Sequence, residues 1–315
     1  MYDTVFLCLT QADVRGGGVD FLKVVPRILD NIVECHCNGV ASVTGDLNGL
    51  NVAVTDQRLR IRGGSLCKFQ LGDNFQTMGR SDTQRAIEKL SDSLRLPMDK
   101  ASVTRMDVAQ NFIMKYPVAV YLNHLGVLRN TKRLEEPSGL YYSFNKKDSL
   151  CLYDKNREQR DKGGTIPALY RDKNVLRCER RFIKRIAAKF GATEITGAKL
   201  YEEAFYIQVL NAWKDDYQAI QKINDIDTID FQSVKTVPQL NKVCIRIAVQ
   251  EAGGLIQFLN QIQEAQQRGE IDKVQACRLK KAINNACQET GGQTAKNEAI
   301  KELDKKVAEA VKFYR

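Results

Sequence analysis

The chain has 315 residues, 43% of them hydrophobic and 27% charged, and carries 48 Lys and Arg against 38 Asp and Glu for a net charge of +10. That length supports a large core and two domains, the composition is that of an ordinary globular protein, and the charge points to an anionic partner. No apolar run is long enough to span a membrane as a helix.

From the start, MYDTVFLCLTQADV lacks the basic lead and apolar core of a signal peptide and reads as a first strand. YDTVFLCL, GVASVTGDL, LNVAVTD and RLRIRG alternate in the strand manner, and SLCKFQLG (65–72) continues the pattern. DTQRAIEKLSDSLRL (82–96) predicts an amphipathic helix, with Ala86, Leu90 and Leu94 at helical spacing, Ile87 beside them, Asp82 as its cap and Pro97 beyond its end. VTRMDVAQNF (103–112) reads as a strand and PVAVYLNHLGVLR (117–129) as a short helix, with Gly126 near a turn. LYYSF (140–144) and SLCLYDK (149–155) flank the link Asn145–Asp148 and predict a hairpin. After a stretch of mixed charge, VLRCERRF (175–182) forms a strand that runs into the basic segment RFIKRIAAKFG. Beyond Gly191 the composition turns to Ala, Gln, Lys and Glu, and 198–224 and 240–313 read as helical, separated by the Asp-rich stretch 225–230 and Pro238. The expected organisation is α+β: a strand-rich catalytic domain over 1–190 and a helical DNA-binding or accessory domain over 191–315.

The nine cysteines follow no disulfide framework, and Cys35-His36-Cys37 has only His124 elsewhere to complete a zinc site. Reduced thiols in a cytoplasmic setting are the expectation. Isolated histidines also argue against Ser-His-Asp and Cys-His catalysis, and no GxxxxGK[ST] loop is present. The glycines of GGGV (16–19) and RGGS (62–65) read as turn residues.

Three segments remain for chemistry. Alternate strand residues share a face, so Arg105 joins Asp107, Tyr153 joins Lys155, and Arg177 joins Glu179 and Arg181. Asp107 and Glu179 are candidate ligands for Mg²⁺ or Mn²⁺; the competing reading pairs Asp107 with Arg105, and Glu179 with Arg177 or Arg181. Tyr153 is the candidate nucleophile, with Lys155 favouring its phenolate, and Tyr142 on the adjoining strand ranks second. Either tyrosine also reads as an ordinary half-buried strand residue. Residues 144–189 hold 14 Lys and Arg against 6 Asp and Glu, so the basic charge surrounds these segments.

The ordered set TRMD, YLNHLG, LYYSFNKKDSLCLYDKNRE and LRCERRF resembles the replication initiators of filamentous phages, the gene II/X group, and plasmid rolling-circle initiators with RxD, YDKxxE and RxExR strands. The likeness spans roughly 65–190. It implies a nickase-like catalytic domain around an antiparallel sheet. It also implies an enzyme that cuts one strand of double-stranded origin DNA, stays joined to the 5′-phosphate through tyrosine, leaves a 3′-OH primer, and later rejoins the displaced single strand. By the same likeness Tyr153 is the nucleophile, Glu158 matches the last residue of YDKxxE as a third acidic group, and Arg105, Arg177 and Arg181 meet DNA. The implied partners are a host helicase and polymerase in the bacterial cytoplasm, and a homodimer is left open.

Two other readings compete. One is an origin-binding initiator or repressor without catalysis, with GLIQFLNQIQEAQQRGE and KVQACRLKKAINNA as a helix-turn-helix, although their Leu and Ile stripes also read as bundle core. The other is an RNA-processing protein, hinted at only by LYYSF. Asp107 and Glu179 gathered beside Tyr153 or Tyr142 would separate catalysis from plain binding.

Overall fold

The computed structural model describes residues 1–14, 19–37, 39–145, 147–223, 234–288 and 298–314. The strands are β1 (Tyr2–Thr10), β2 (Asp30–Cys37), β3 (Val40–Leu47), β4 (Leu50–Thr55), β5 (Arg58–Gly63), β6 (Ser102–Met114), β7 (Lys132–Glu136), β8 (Gly139–Ser143), β9 (Ser149–Asp154) and β10 (Asn174–Phe182). The helices are α1 (Phe21–Val24), α2 (Leu66–Leu71), α3 (Arg80–Leu94), α4 (Val118–Asn123), α5 (Lys155–Asp161), α6 (Ile186–Lys189), α7 (Glu203–Gln218), α8 (Val237–Glu251), α9 (Leu255–Gln267), α10 (Lys273–Gln288) and α11 (Glu298–Tyr314). The α+β class is as the sequence predicts.

All ten strands join one sheet in the order β2-β3-β4-β5-β1-β6-β10-β9-β8-β7, and every pairing is antiparallel. The alternation in the sequence decides which face meets the core. In β1, Val5, Leu7 and Leu9 are buried while Thr4, Phe6 and Cys8 stay partly accessible on the other side. On the apolar face, Trp213 of α7 is fully buried, stacks on Phe112 with ring centroids 6.4 Å apart, and donates from Nε1 to the Cys178 carbonyl at 3.3 Å. Burying these aromatic surfaces is the main favourable term holding the helix to the sheet.

The chain divides into two compact units. One comprises Met1–Met114, Asn130–Tyr217 and Lys306–Arg315 and contains the whole sheet; the other comprises Lys115–Arg129 and Gln218–Lys305. In the second unit, Val249, Leu255, Ile262, Ala276 and Ile283 of α8, α9 and α10 form a core. The Leu and Ile stripes read as a candidate helix-turn-helix therefore serve packing. The glycines 16–18 and the Asp-rich stretch 225–230 lie outside the described residues. No helix among the described residues is long and apolar enough to cross a membrane.

Several local expectations change. SLCKFQLG is helical: the Ser65 hydroxyl caps α2 by accepting from Lys68 N at 3.1 Å, and Gly72 ends the helix at φ +86°. Asp82 does cap α3, but from its third position, accepting from Gly79 N at 2.8 Å. The helix expected over 117–129 is limited to Val118–Asn123.

Candidate active site

Strand register puts the chemistry-bearing residues on the face opposite Trp213. Arg181 lies across from Asp107 and Glu179 across from Ala109 between β10 and β6; Arg177 lies across from Tyr153 between β10 and β9. Asp107 and Glu179 are thus diagonal neighbours on one face, and Tyr153 joins them from the next strand.

Glu179 organises the centre. Its Oε2 accepts from Tyr153 Oη at 2.9 Å and from Arg177 Nε at 3.0 Å, and its Oε1 accepts from Arg181 Nε at 2.6 Å. Burial opposes ionisation, but the Arg177 and Arg181 guanidiniums outweigh it and hold the carboxyl at about 2. Arg177 also pairs with Asp3 of β1, so a buried guanidinium sits between two carboxylates. Burial pushes the Tyr153 phenol well above its ordinary value; the Arg177 charge works against that rise and Glu179 adds to it.

Beside this group, both Asp107 oxygens accept from Arg105, at 2.6 to 3.1 Å. Burial lifts the Asp107 carboxyl to about 6, with Arg105 pulling it down and the Glu179 charge pushing it up. The arginine pairings allowed by the sequence are thus all present. So is the proximity of the two carboxylates, since Asp107 feels the Glu179 charge.

The face has a closed end and an open end. Asn111 Nδ2 donates to the Asn74 and Phe75 carbonyls at 2.8 and 2.9 Å, and Arg177 Nη1 reaches the Asn74 carbonyl at 3.1 Å. The Phe75 ring lies 5.1 Å from that of Tyr170 and 5.5 Å from Lys155 Nζ. This cover leaves Tyr153 only 6% exposed. At the open end the Arg105 and Arg181 side chains are 25% and 33% exposed.

Three predicted residues sit elsewhere than their spacing suggests. Lys155 is not on the tyrosine's strand face. β9 ends at Asp154, whose carboxylate accepts from Arg157 N at 2.9 Å and starts α5, so Lys155 opens a helix. There Lys155 is buried and donates to Glu158 at 2.8 Å; burial, then the Arg177 charge, lower its pKa. Glu158 is held on α5 by Lys155 and Lys162, apart from the Asp107–Glu179 pair. Tyr142 lies across from Leu150 and Arg133 on the opposite, apolar face, fully buried, and burial pushes its phenol up to about 12.

The tyrosine of β8 that shares the face is Tyr141, across from Cys151 and half-buried. Its phenol is also pushed up to about 12, by burial first. The hairpin turn carried the signal for this parity: pairing Ser143 with Ser149 forces Tyr141, and not Tyr142, onto the face of Tyr153. Gly139 sits directly across from Tyr153, where a Cβ would fall 2.6 Å from the tyrosine's own Cβ. Asp3, Asn74 and Asn111 went unremarked in the sequence; an acid inside the apolar run YDTVFLCL was the one local hint.

The donor set suits a hard divalent cation in kind, since two carboxylates adjoin on one face. All four oxygens are taken by guanidinium groups or Tyr153, and among the described residues no three His, Cys, Asp or Glu side chains converge. Arg105 and Arg181 are the two partners with solvent access, so they are the ones placed to exchange a carboxylate for a phosphate.

No curated protein matches the chain. A family model described as the N-terminal part of the replication-associated protein of phage gene II matches residues 1–216.

Proposed function

The chain belongs to the family of gene II replication-associated proteins, a family of replication initiators, and on that premise we propose that it starts rolling-circle replication by nicking one strand of origin DNA through Tyr153. The observation that carries the reading is the gathering of Tyr153, Glu179 and Asp107 on one face with three arginines around them. A protein that only bound DNA would have no use for a buried tyrosine held by a buried carboxylate.

In this reading Tyr153 Oη attacks the phosphorus of the scissile phosphodiester. An O–P bond forms, the bond to the 3′ oxygen breaks, and the 3′ oxygen leaves as a hydroxyl with a proton from solvent. Glu179 Oε2 orients the phenol and is the acceptor in place for its proton. Arg105 and Arg181, with their solvent access, take the charge of the phosphate oxygens. Asp107 and Glu179 would hold Mg²⁺ or Mn²⁺, which when bound polarises a phosphoryl oxygen and neutralises the carboxylates. The phosphotyrosyl link conserves the bond energy, and attack by a 3′-OH in the reverse sense rejoins the strand.

The test is supercoiled DNA carrying the cognate origin, incubated with Mg²⁺ or Mn²⁺ and examined for a nick and a covalent protein–DNA adduct. Both are expected from the wild type and neither from Tyr153→Phe. Tight origin binding with no nick in either metal would replace the enzyme with a non-catalytic origin-binding initiator or repressor.

A further inference from the structure

The face that carries Tyr153 continues across β6 and β1 to β5, and there it holds three arginines in a column. Arg58, Arg60 and Arg62 alternate with Leu59 and Ile61, which are buried on the other side. Register ties the column to the site: Arg60 lies across from Cys8 and Arg58 across from Thr10, while Phe6, two residues before Cys8, lies across from Arg105. The Arg105 guanidinium stands 5.0 Å from the Phe6 ring centroid.

These arginines are unusual for an interior strand. Same-face residues recur every ~6.8 Å along a strand, so three like charges repel along the column. The flanking same-face residues offer no compensation. On β4 they are Asn51, Ala53 and Thr55, and on β1 Phe6, Cys8 and Thr10. None of the three arginines makes an ion pair or side-chain hydrogen bond among the described residues, in contrast to Arg105, Arg177 and Arg181. The arrangement is satisfied by an anion that repeats along the strand direction.

Resting on the nickase reading, we infer that the β5 column binds the phosphates of single-stranded DNA leading to or from Tyr153. The column lies three strands from β10, about 14 Å of sheet, so the nucleic acid crosses β1 and β6 before it reaches the tyrosine. A single strand fits better than a duplex because the three donors lie in one row on a sheet surface, matching one backbone at a time. Arg105 links the two parts, stacked on Phe6 and bound to Asp107.

The experiment measures binding of the full chain to an oligonucleotide containing the origin sequence, as a single strand and as a duplex, over a range of salt. Arg58→Gln/Arg60→Gln/Arg62→Gln is compared with the lysine triple at the same positions. Losing three phosphate contacts should weaken single-strand binding roughly 10–100-fold at about 0.15 M salt and flatten the log K against log salt slope by about 2. The lysine triple should restore the slope, which a purely structural role for arginine would not do. Unchanged single-strand affinity and slope in a folded glutamine triple overturn the inference, and so does an equal loss for duplex and single strand. Should the triple fail to fold, Arg58→Gln, at an exposed position, supplies the same reading with a slope change of about one. Binding is read without catalysis, so a wild type that binds the strand through this column but never nicks would sink the nickase reading and leave the column standing.

Discussion

The Tyr153 hydroxyl and the Glu179 carboxylate, 26 residues apart in sequence, meet in a 2.9 Å hydrogen bond inside a buried cluster of opposite charges. The phenol is held protonated by burial and the carboxylate ionised by its arginines, so the pair is oriented for reaction but quiet at rest.

Tyr153→Phe should lower nicking by more than ~10³-fold and abolish the adduct, because the attacking oxygen is gone. Tyr142→Phe, on the other face, should nick normally and lose about 1 kcal/mol of stability, the usual net value of one buried hydrogen bond. Parallel nick assays and urea melts separate the two; a dead Tyr142→Phe that melts like wild type would move the chemistry.

Glu179→Gln removes the one carboxylate shared by Arg177 and Arg181. With Arg177 deeply buried, the expected cost is about 3–5 kcal/mol, read as a drop in the denaturation midpoint. A loss below about 1 kcal/mol would mean that Asp3 alone balances Arg177.

Asp148 ties the turn before β9 to the end of β10. Its Oδ1 accepts from Ile183 N and Lys184 N at 2.8 and 2.9 Å, and its Oδ2 from Asn145 at 2.7 Å and from Lys189. Burial resists ionisation, but these donors prevail and lower the carboxyl from 3.8 to about 2. A depressed carboxyl stabilises the fold above its unfolded pKa, and that stabilisation drains away as pH falls through the folded value. Asp148→Asn should therefore cost roughly 2 kcal/mol at about pH 7, and the wild-type and variant stability curves should converge between about pH 4 and 2. Parallel curves over that range would remove Asp148 from the account.

Gly139→Ala places a methyl carbon against Tyr153 and 2.9 Å from the Leu152 carbonyl. β8 must shift or the tyrosine must turn. Nicking should fall at least ~10-fold, because reacting groups tolerate little displacement. Full activity with an unchanged melt would show that β8 gives way without moving β9.

Much of the site was legible in the pleat. The pairs Arg105–Asp107 and Arg177–Glu179–Arg181 share their faces as alternation requires, and the hairpin forms about Asn145–Asp148. The errors have local physical causes. Asp154 reads as a strand residue in SLCLYDK, yet its carboxylate is a helix cap that turns Lys155 out of the strand. Ser65 and Gly72 bracket a helix that apolar alternation disguised as a strand. Asp3 lay beyond reach for another reason: nothing near it in sequence indicates Arg177 as its partner.

That long-range pair also sets when the site can exist. β1 lies between β5 and β6, and the contact between Arg177 and Asp3 spans 174 residues. Closing so wide a loop is entropically slow, and local structure cannot stand in for it. As the chain is synthesised, β1 can gain β5 and then β6 as neighbours, but β10 must emerge before Tyr153 acquires Glu179 and Arg177. A nascent or truncated chain ending before β10 therefore carries the tyrosine without the centre that holds it, and the tyrosine enters its working environment only once the sheet is complete through its tenth strand.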